Sequence, residues 1–447
     1  MMQHLTLRLL ALGLSGVTLS AAADEQTMTF ALTGDSIINR RISTYRAPGI
    51  DGMWQIIRDA DAAFTNFETL IHDWDLPGEA RSGGTYMGSP TYVGSELEWA
   101  GFDLLGLANN HTFDYGLEGM RSTRRYLAKT NLVFAGTGEN LAMARAPGYL
   151  DTTKGRVAII STASSFTPAS VAGPQRSDII GRPGLNPLRF TTTYTVEPET
   201  MATLAKLKGN APAKTPSNLD FLEVQWKSGN EVKMSTEVSA FDLEEITHTV
   251  RNARAQADWV MVSIHSHESL TPEDRTQPAE FLVAFAKAVI DAGADMVVGH
   301  GPHLLRGIEI YKGKPIFYCL ANFIFENDLV EFQPWENYDK TDLPGTSLPS
   351  EYYSKRSKND TIGFTANRTY WDSVVAETVY DMDRNLKEIR LHPVTLGFGN
   401  SRTKRGQPAP ANAEDAAYII KQMQDLSKPF GVTIVERDGV GIITPEG

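Results

Sequence analysis

The sequence predicts a layered α/β fold, and three observations carry that reading. Short apolar runs recur along the chain, segments with helical spacing separate most of them, and one run after another breaks into Gly, Asp, Asn, Glu or His. Apolar runs bounded by turn residues suit buried strands, and strands alternating with helices stack into layers whose ligands lie outside the carboxyl ends of the strands.

Residues 27–33 are β-branched and apolar and form an expected strand that stops at Gly34 and Asp35. Residues 51–61 have helical spacing through Trp54 and Ile57, and 62–68 is a second apolar run ending in Asn66, Phe67 and Glu68. The Gly, Pro and Ser of 77–94 suggest a loop over the rim of a site, after which 102–108 runs into Asn109, Asn110 and His111. A helix is expected over 116–129, with Leu117, Met120 and Leu127 on one side and basic residues late, where the helix dipole is negative. It leads into the apolar run 132–136; the two glycines at 136 and 138 are a weak signal for a phosphate-cradling loop.

Residues 156–160 read as another strand, and 164–193 as loop. A helix over 243–257 and a strand over 258–264 precede His265, Ser266, His267 and Glu268. The clearest helix is 278–292, with Pro278 near its start, Leu282, Phe285, Ala286, Val289 and Ile290 on one face and Gly293 as its stop. It feeds the run 295–298, which breaks into Gly299, His300, Gly301, Pro302 and His303. Residues 314–320 reach Ala321, Asn322 and Phe323; 369–380 and 386–394 alternate as paired antiparallel strands do, and 413–426 reads as a late helix. The expected organisation is one domain over 24–447 with polar insertions near 196–237 and 326–368, the second placed as a rim or lid.

Composition narrows the function. A chain of 447 residues, 41% hydrophobic and 21% charged, is ordinary globular material, and a net charge of −12 argues against nucleic acid as the main partner, which would call for a basic footprint. An anionic substrate would then have to be met by local cations. The apolar stretch 5–23, with Arg8 near its start and Ala21, Ala22 and Ala23 before Asp24, has the pattern of a signal peptide over 1–23, so export to the periplasm or beyond is expected. The only cysteine is Cys319, so a disulfide framework is excluded and any metal must be held by oxygen and nitrogen.

The expected strand ends carry Asp35, Asn66 and Glu68, Asn110 and His111, His265 and His267, and His300 and His303. Each alone is an ordinary turn-former; together, on neighbouring strands, they make a site. Carboxylate, amide oxygen and imidazole without thiolate suit one or two divalent cations such as Mn, Zn or Fe. A histidine left uncommitted, for which His111 is the choice, could protonate a leaving group or stabilise developing negative charge.

Gly34-Asp35, Asn66-Phe67-Glu68, Asn109-Asn110-His111 with Asp114-Tyr115-Gly116, His265, the Gly299–His303 turn and Ala321-Asn322-Phe323 together resemble the CapA family, the bacterial capsule synthesis proteins associated with poly-γ-glutamate. The resemblance spans roughly residues 27–325. It implies a calcineurin-like metallophosphoesterase αββα sandwich in which Asp35, Glu68, Asn110, His265, His300 and His303 are metal ligands, Asp35 and His111 serve the chemistry, and Arg40 follows the Gly-Asp turn as a basic residue. Three departures stand out. Ile37 occupies the histidine position of the phosphoesterase Asp-x-His motif, which bears on a second metal; His300 and His303 are three apart; and Ser266 and His267 replace an aromatic and a glycine, making His267 an extra ligand, a substrate contact or a solvent-facing residue.

Two functions follow from that resemblance. The first is a metal-dependent hydrolase of the cell envelope acting on a poly-γ-glutamate-like amide or a phosphoester, with Asn66, His267, Arg40 and Arg182 as substrate contacts and Arg41, Arg189 and Arg306 as further counter-charges. The second is a capsule-assembly component that binds an anionic polymer without turning it over, in company with other capsule biosynthesis proteins.

Overall fold

The computed structural model describes residues 26–209 and 215–445; the expected signal peptide lies outside them. Among the described residues, ten strands form one sheet and six another. At the heart of the larger sheet, Thr27–Ile37 pairs in parallel with Ala62–Phe67 on one side and with Asn322–Phe325, and antiparallel with Asp372–Asp381. Leu104–Gly106 and Val133–Ala135 continue the parallel set. In the smaller sheet Gly155–Ala163, Trp259–His265, Met296–His300 and Lys314–Phe317 are parallel, with antiparallel strands at both edges.

Strand side chains alternate between faces, and the alternation builds four layers. Phe30 and Leu32 point between the sheets toward Ile159, Trp259, Met261 and Val298. Ala31 and Ala63 face outward and are covered by Trp54 and Ile57 of the helix Ile50–Asp59 and by Leu97 of Val93–Ala100. On the far side Ile160, Val260 and Val262 are covered by Ile246 and Val250 of Ala240–Arg254 and by Phe281, Phe285 and Val289 of Glu280–Asp291. The expected αββα sandwich is thus the observed one.

Trp259 is 1% exposed and packs its ring edgewise against Phe30, centroids 5.7 Å apart, and at a tilt against Tyr380, 5.4 Å apart. Trp259→Ala would leave a cavity between the sheets that neither sheet can close, and a loss of about 3–5 kcal/mol is expected from denaturant unfolding of the two proteins.

The expected elements lie close to their observed bounds, with two informative differences. The first strand does not stop at Gly34 and Asp35: it continues to Ile37 with an irregular register, because the Asp35 N–H donates to Ala321 O at 2.9 Å and Ser36 and Ile37 pair with the strand at 322–325. A Cβ on Gly34 would stand 1.9 Å from that carbonyl oxygen, so the approach requires glycine. The helix Val93–Ala100 begins inside the stretch expected to be loop.

The insertion near 196–237 contains much of a four-stranded sheet, ordered Asn218–Phe221, Val224–Ser228, Phe190–Val196, Lys233–Val238, which carries the helix Pro198–Leu207 on a small core of Val196, Met201, Ala205 and Leu219. The insertion near 326–368 has short helices at Trp335–Asp339 and Pro349–Arg356 and a 3-10 turn at Gly363–Ala366 that brings Phe364 to His303, ring centroids 5.3 Å apart.

Candidate metal centre

Strand register levels the polar ends. Asp35 pairs with Asn66 on one side and Asn322 on the other, while His265 pairs with His300 across the facing sheet. The two rows meet at one buried point. Asp35 and Glu68 are fully buried, as are Asn66, His265 and His300, and His111 and His303 nearly so.

Asp35 is held on both oxygens: Asn66 Nδ2 donates to Oδ1 at 2.8 Å and the Gly301 N–H to Oδ2 at 2.9 Å. Gly301 can present that N–H because its φ of 120° is open to glycine. Around Asp35 stand His265 Nδ1 at 3.6 Å, His300 Nδ1 at 3.5 Å and His303 Nδ1 at 3.6 Å. Around Glu68 stand His265 Nε2 at 3.6 Å, His303 Nδ1 at 3.7 Å and His111 Nε2 at 3.8 Å. His267 Nε2 lies 3.0 Å from His265 Nε2.

Ring partners orient these imidazoles. His300 Nε2 meets Ser263 Oγ at 2.8 Å, which turns Nδ1 toward Asp35. His303 Nδ1 meets Asn322 Oδ1 at 2.9 Å, and the Asn322 amide donates to His303 O and Tyr370 O. His267 is set by its loop: its N–H donates to Ser165 Oγ, and Ser164, Ser165 and Ser266 all donate to Glu268.

The donor set passes a test for a cation. Both oxygens of Glu68, Asn66 Oδ1 and Asn110 Oδ1 are buried without a hydrogen-bond partner, a costly arrangement unless a positive charge meets them. Three overlapping groups have ligand atoms within 4.8 Å of one another: Asp35 with His265 and His300, Glu68 with His265 and His267, and Asp35 with Glu68 and His303. Atoms bound at about 2.0–2.2 Å to one ion lie roughly 3.0–3.6 Å apart, which is the spacing of most of these pairs. Because the groups share residues, they are arrangements of one cluster.

Electrostatics agree. Burial, then Asp35 and Asp114, push the Glu68 carboxyl well above the ordinary glutamate range, as expected where negative charge lacks a counter-ion. Burial pushes His300 down to about 3 and His303 to about 4, and burial with neighbouring imidazoles pushes His265 and His267 well below the usual histidine range. All four are neutral at neutral pH, the form that ligates metal.

His111 is differently placed. Its Nδ1 is 2.6 Å from Asp114 Oδ2, and Asp114 is itself fixed by the N–H groups of Gly83 and Met87, both at 2.8 Å. Asn110, beside it, donates to Gly83 O at 3.0 Å.

Among the residues expected from sequence, Asp35, Asn66, Glu68, His111, His265, His267, His300 and His303 come together, and His267 stands among the possible ligands. Arg40 is drawn instead to Glu326, at 2.7 Å, and to the carbonyls of Thr403 and Arg405. Arg182 donates to Val171 O, Arg41 pairs with Glu96 and Arg189 with Asp242. Arg306 is buried beneath the site, donating to the carbonyls of Arg275 and Glu268. Sequence reasoning assigned no role to Asp114, Ser263 or Asn322. Asp114 had a signal, three residues after His111; Asn322 ended an apolar run; Ser263, inside a strand, had none.

An αββα sandwich with carboxylate, amide and imidazole at its strand ends has the architecture of the metallophosphoesterase-like proteins. Within that class, the chain belongs to the family of bacterial capsule synthesis proteins, PGA_cap, whose family model matches residues 29–327. It is 37% identical over 446 residues to the uncharacterized protein y4sH of Sinorhizobium fredii (strain NBRC 101917 / NGR234), covering 96% of this chain and 95% of that one. It is 26% identical over 310 residues to the capsule biosynthesis protein CapA of Bacillus anthracis, covering 68% of this chain and 61% of CapA. With the PGA biosynthesis protein CapA of Bacillus subtilis (strain 168) it shares 25% over 309 residues, 68% of this chain and 64% of that one. Among the described residues no helix is long and apolar enough to cross a membrane.

Proposed function

We propose that this protein is an exported, metal-dependent hydrolase of the cell envelope that acts on an anionic substrate through an amide of the poly-γ-glutamate kind or a phosphoester. The observation that carries the reading is the set of unpartnered buried oxygens of Glu68, Asn66 and Asn110 beside neutral histidines, with His111 and its Asp114 partner next to them. Asp35, Glu68, His265, His300 and His303, with Asn110 and His267, would hold the cation, which when bound supplies Lewis acidity to an acyl or phosphoryl oxygen. The other work falls to the chain. Asp114 keeps the His111 ring in one orientation by holding Nδ1, which leaves Nε2 turned toward the cluster to pass a proton to a leaving group. Asn66 and Gly301 keep Asp35 from turning away.

The test is turnover of a model phosphodiester and of glutamate oligomers by protein loaded with Mn or Zn. Cleavage of either that is abolished by chelator supports the reading, and inertness on both, at full metal content, overturns it. A second reading, polymer handling without turnover, is favoured by one observation: the Bacillus relatives are named for biosynthesis. Polymer binding that ignores chelator would support it. Capsule biosynthesis proteins would be the natural partners in either case.

A further inference from the structure

Beside the cluster lies a cavity of about 550 Å³ walled by the second insertion, with Arg275, Tyr353, Arg356, Ile362, Phe364 and Tyr370 among its lining residues. Its volume is that of a small-ligand site. Three of its lining residues, Arg275, Phe364 and Tyr370, connect it to His303 and its neighbours. The Phe364 ring stands edge-on to His303, Arg275 donates to Pro302 O at 3.2 Å, and the Tyr370 carbonyl takes the amide of the asparagine that orients His303.

The charges in the cavity are unusual for an acidic protein. Among the described residues neither Arg275 nor Arg356 has a carboxylate within ion-pair distance, whereas Arg40, Arg41, Arg189 and Arg405 are each paired. Arg275 donates only to Tyr370 Oη and Pro302 O, both neutral, and Arg356 lies over the Phe364 ring at 5.9 Å. The one acid on the wall, Asp328, is already taken by Arg405 and Arg402. Two guanidinium groups thus reach a cavity whose remaining wall mixes Tyr353, Ile362, Phe364 and Tyr370 with neutral polar side chains such as Asn327 and Asn367. Guanidinium forks match carboxylates, and the Phe364 and Ile362 side chains on the same wall suit the methylenes that carry a carboxylate rather than a compact, fully hydrated anion.

We infer that this cavity is a binding subsite for the side-chain or terminal carboxylate of an acidic amino-acid oligomer, held by Arg275 and Arg356 with its aliphatic stem on Phe364. That the bound chain leads into the metal cluster rests on the hydrolase reading above; the ligand chemistry does not. Of the substrate contacts expected from sequence, Asn66 and His267 lie in the cluster, while Arg40 pairs with Glu326 and Arg182 donates to Val171 O; Arg275 and Arg356 are further cations beside them.

Calorimetric titration of the metal-free full-length protein with tetraglutamate tests the assignment without any turnover. Wild type is expected to bind, Arg356→Gln to bind about tenfold or more weakly, and Arg356→Lys, which keeps the charge and loses the fork, to recover part of the loss. The Arg356 side chain makes no hydrogen bond among the described residues, so unchanged melting and unchanged metal content should certify the fold of both variants. Wild-type affinity in Arg356→Gln, no recovery in Arg356→Lys, or binding of inorganic phosphate in place of tetraglutamate would each overturn the assignment. Absence of hydrolysis would overturn the proposed activity and leave this result standing.

Discussion

Replacing His265 with alanine is expected to empty the centre of metal, lowering affinity by well over a hundredfold. Its ring is fully buried and belongs to two of the three possible ligand groups, with Nδ1 toward Asp35 and Nε2 toward Glu68 and His267. Changes to groups that merely orient a ligand cost about 10–100-fold, so loss of a shared ligand should exceed that. Metal analysis after dialysis against trace Mn or Zn is the measurement, and wild-type content in His265→Ala would refute the cluster. The same experiment has a pH signature. Glu68 holds its proton in the metal-free protein above the ordinary value of 4.5, so metal uptake must expel it, and log affinity should rise with pH by about one per unit until the raised pKa is passed. Histidines titrating near 3 and 4 add nothing to that slope at neutral pH. The sign for stability is the reverse: a carboxyl with a raised folded pKa gives the metal-free protein stability that is whole below about 4.5 and lost as pH rises through the folded value. Loading with metal should abolish that loss, and Glu68→Gln should abolish both the loss and the proton release.

What could be read in the sequence was what strands decide locally. A parallel strand buried on both faces must be apolar, and its carboxyl end is where polarity returns, so Asp35, Glu68, His265 and His300 announce themselves by position. Register then brings them together without further instruction. Arginines do not obey such a rule. Arg40 follows the Gly-Asp turn, yet its partner Glu326 is 286 residues away and no local pattern forecasts the pairing. The converse holds for Arg275 and Arg356, which lie in polar stretches of no periodicity and acquire meaning only when the insertion folds back on His303. The small sheet at 190–238 was obscured for a related reason: it buries so few side chains, Leu219 and Val196 among them, that its strands are mostly polar.

His111→Ala is expected to lower turnover by roughly 10²–10⁴-fold while leaving the metal in place, the usual weight of a positioned proton donor. The argument is geometric. A ligand offers a lone pair to the ion and a proton carrier keeps one nitrogen on a carboxylate and the other toward the substrate; His111 has Nδ1 on Asp114 at 2.6 Å and Nε2 beyond hydrogen-bond reach of Glu68, at 3.8 Å. Asp114→Asn separates orientation from charge. The amide keeps an oxygen for one of the N–H groups of Gly83 and Met87, but it lacks the charge and the second acceptor oxygen that hold His111 Nδ1, so turnover should fall while the metal stays. Metal content decides between the roles. If His111→Ala loses metal in proportion to rate, His111 belongs with His265 in the ligand set and the leaving-group proton must come from elsewhere; if metal stays and rate falls, the turn from Asn109 to Asp114 is the part of the fold that turns a binding cluster into a catalyst.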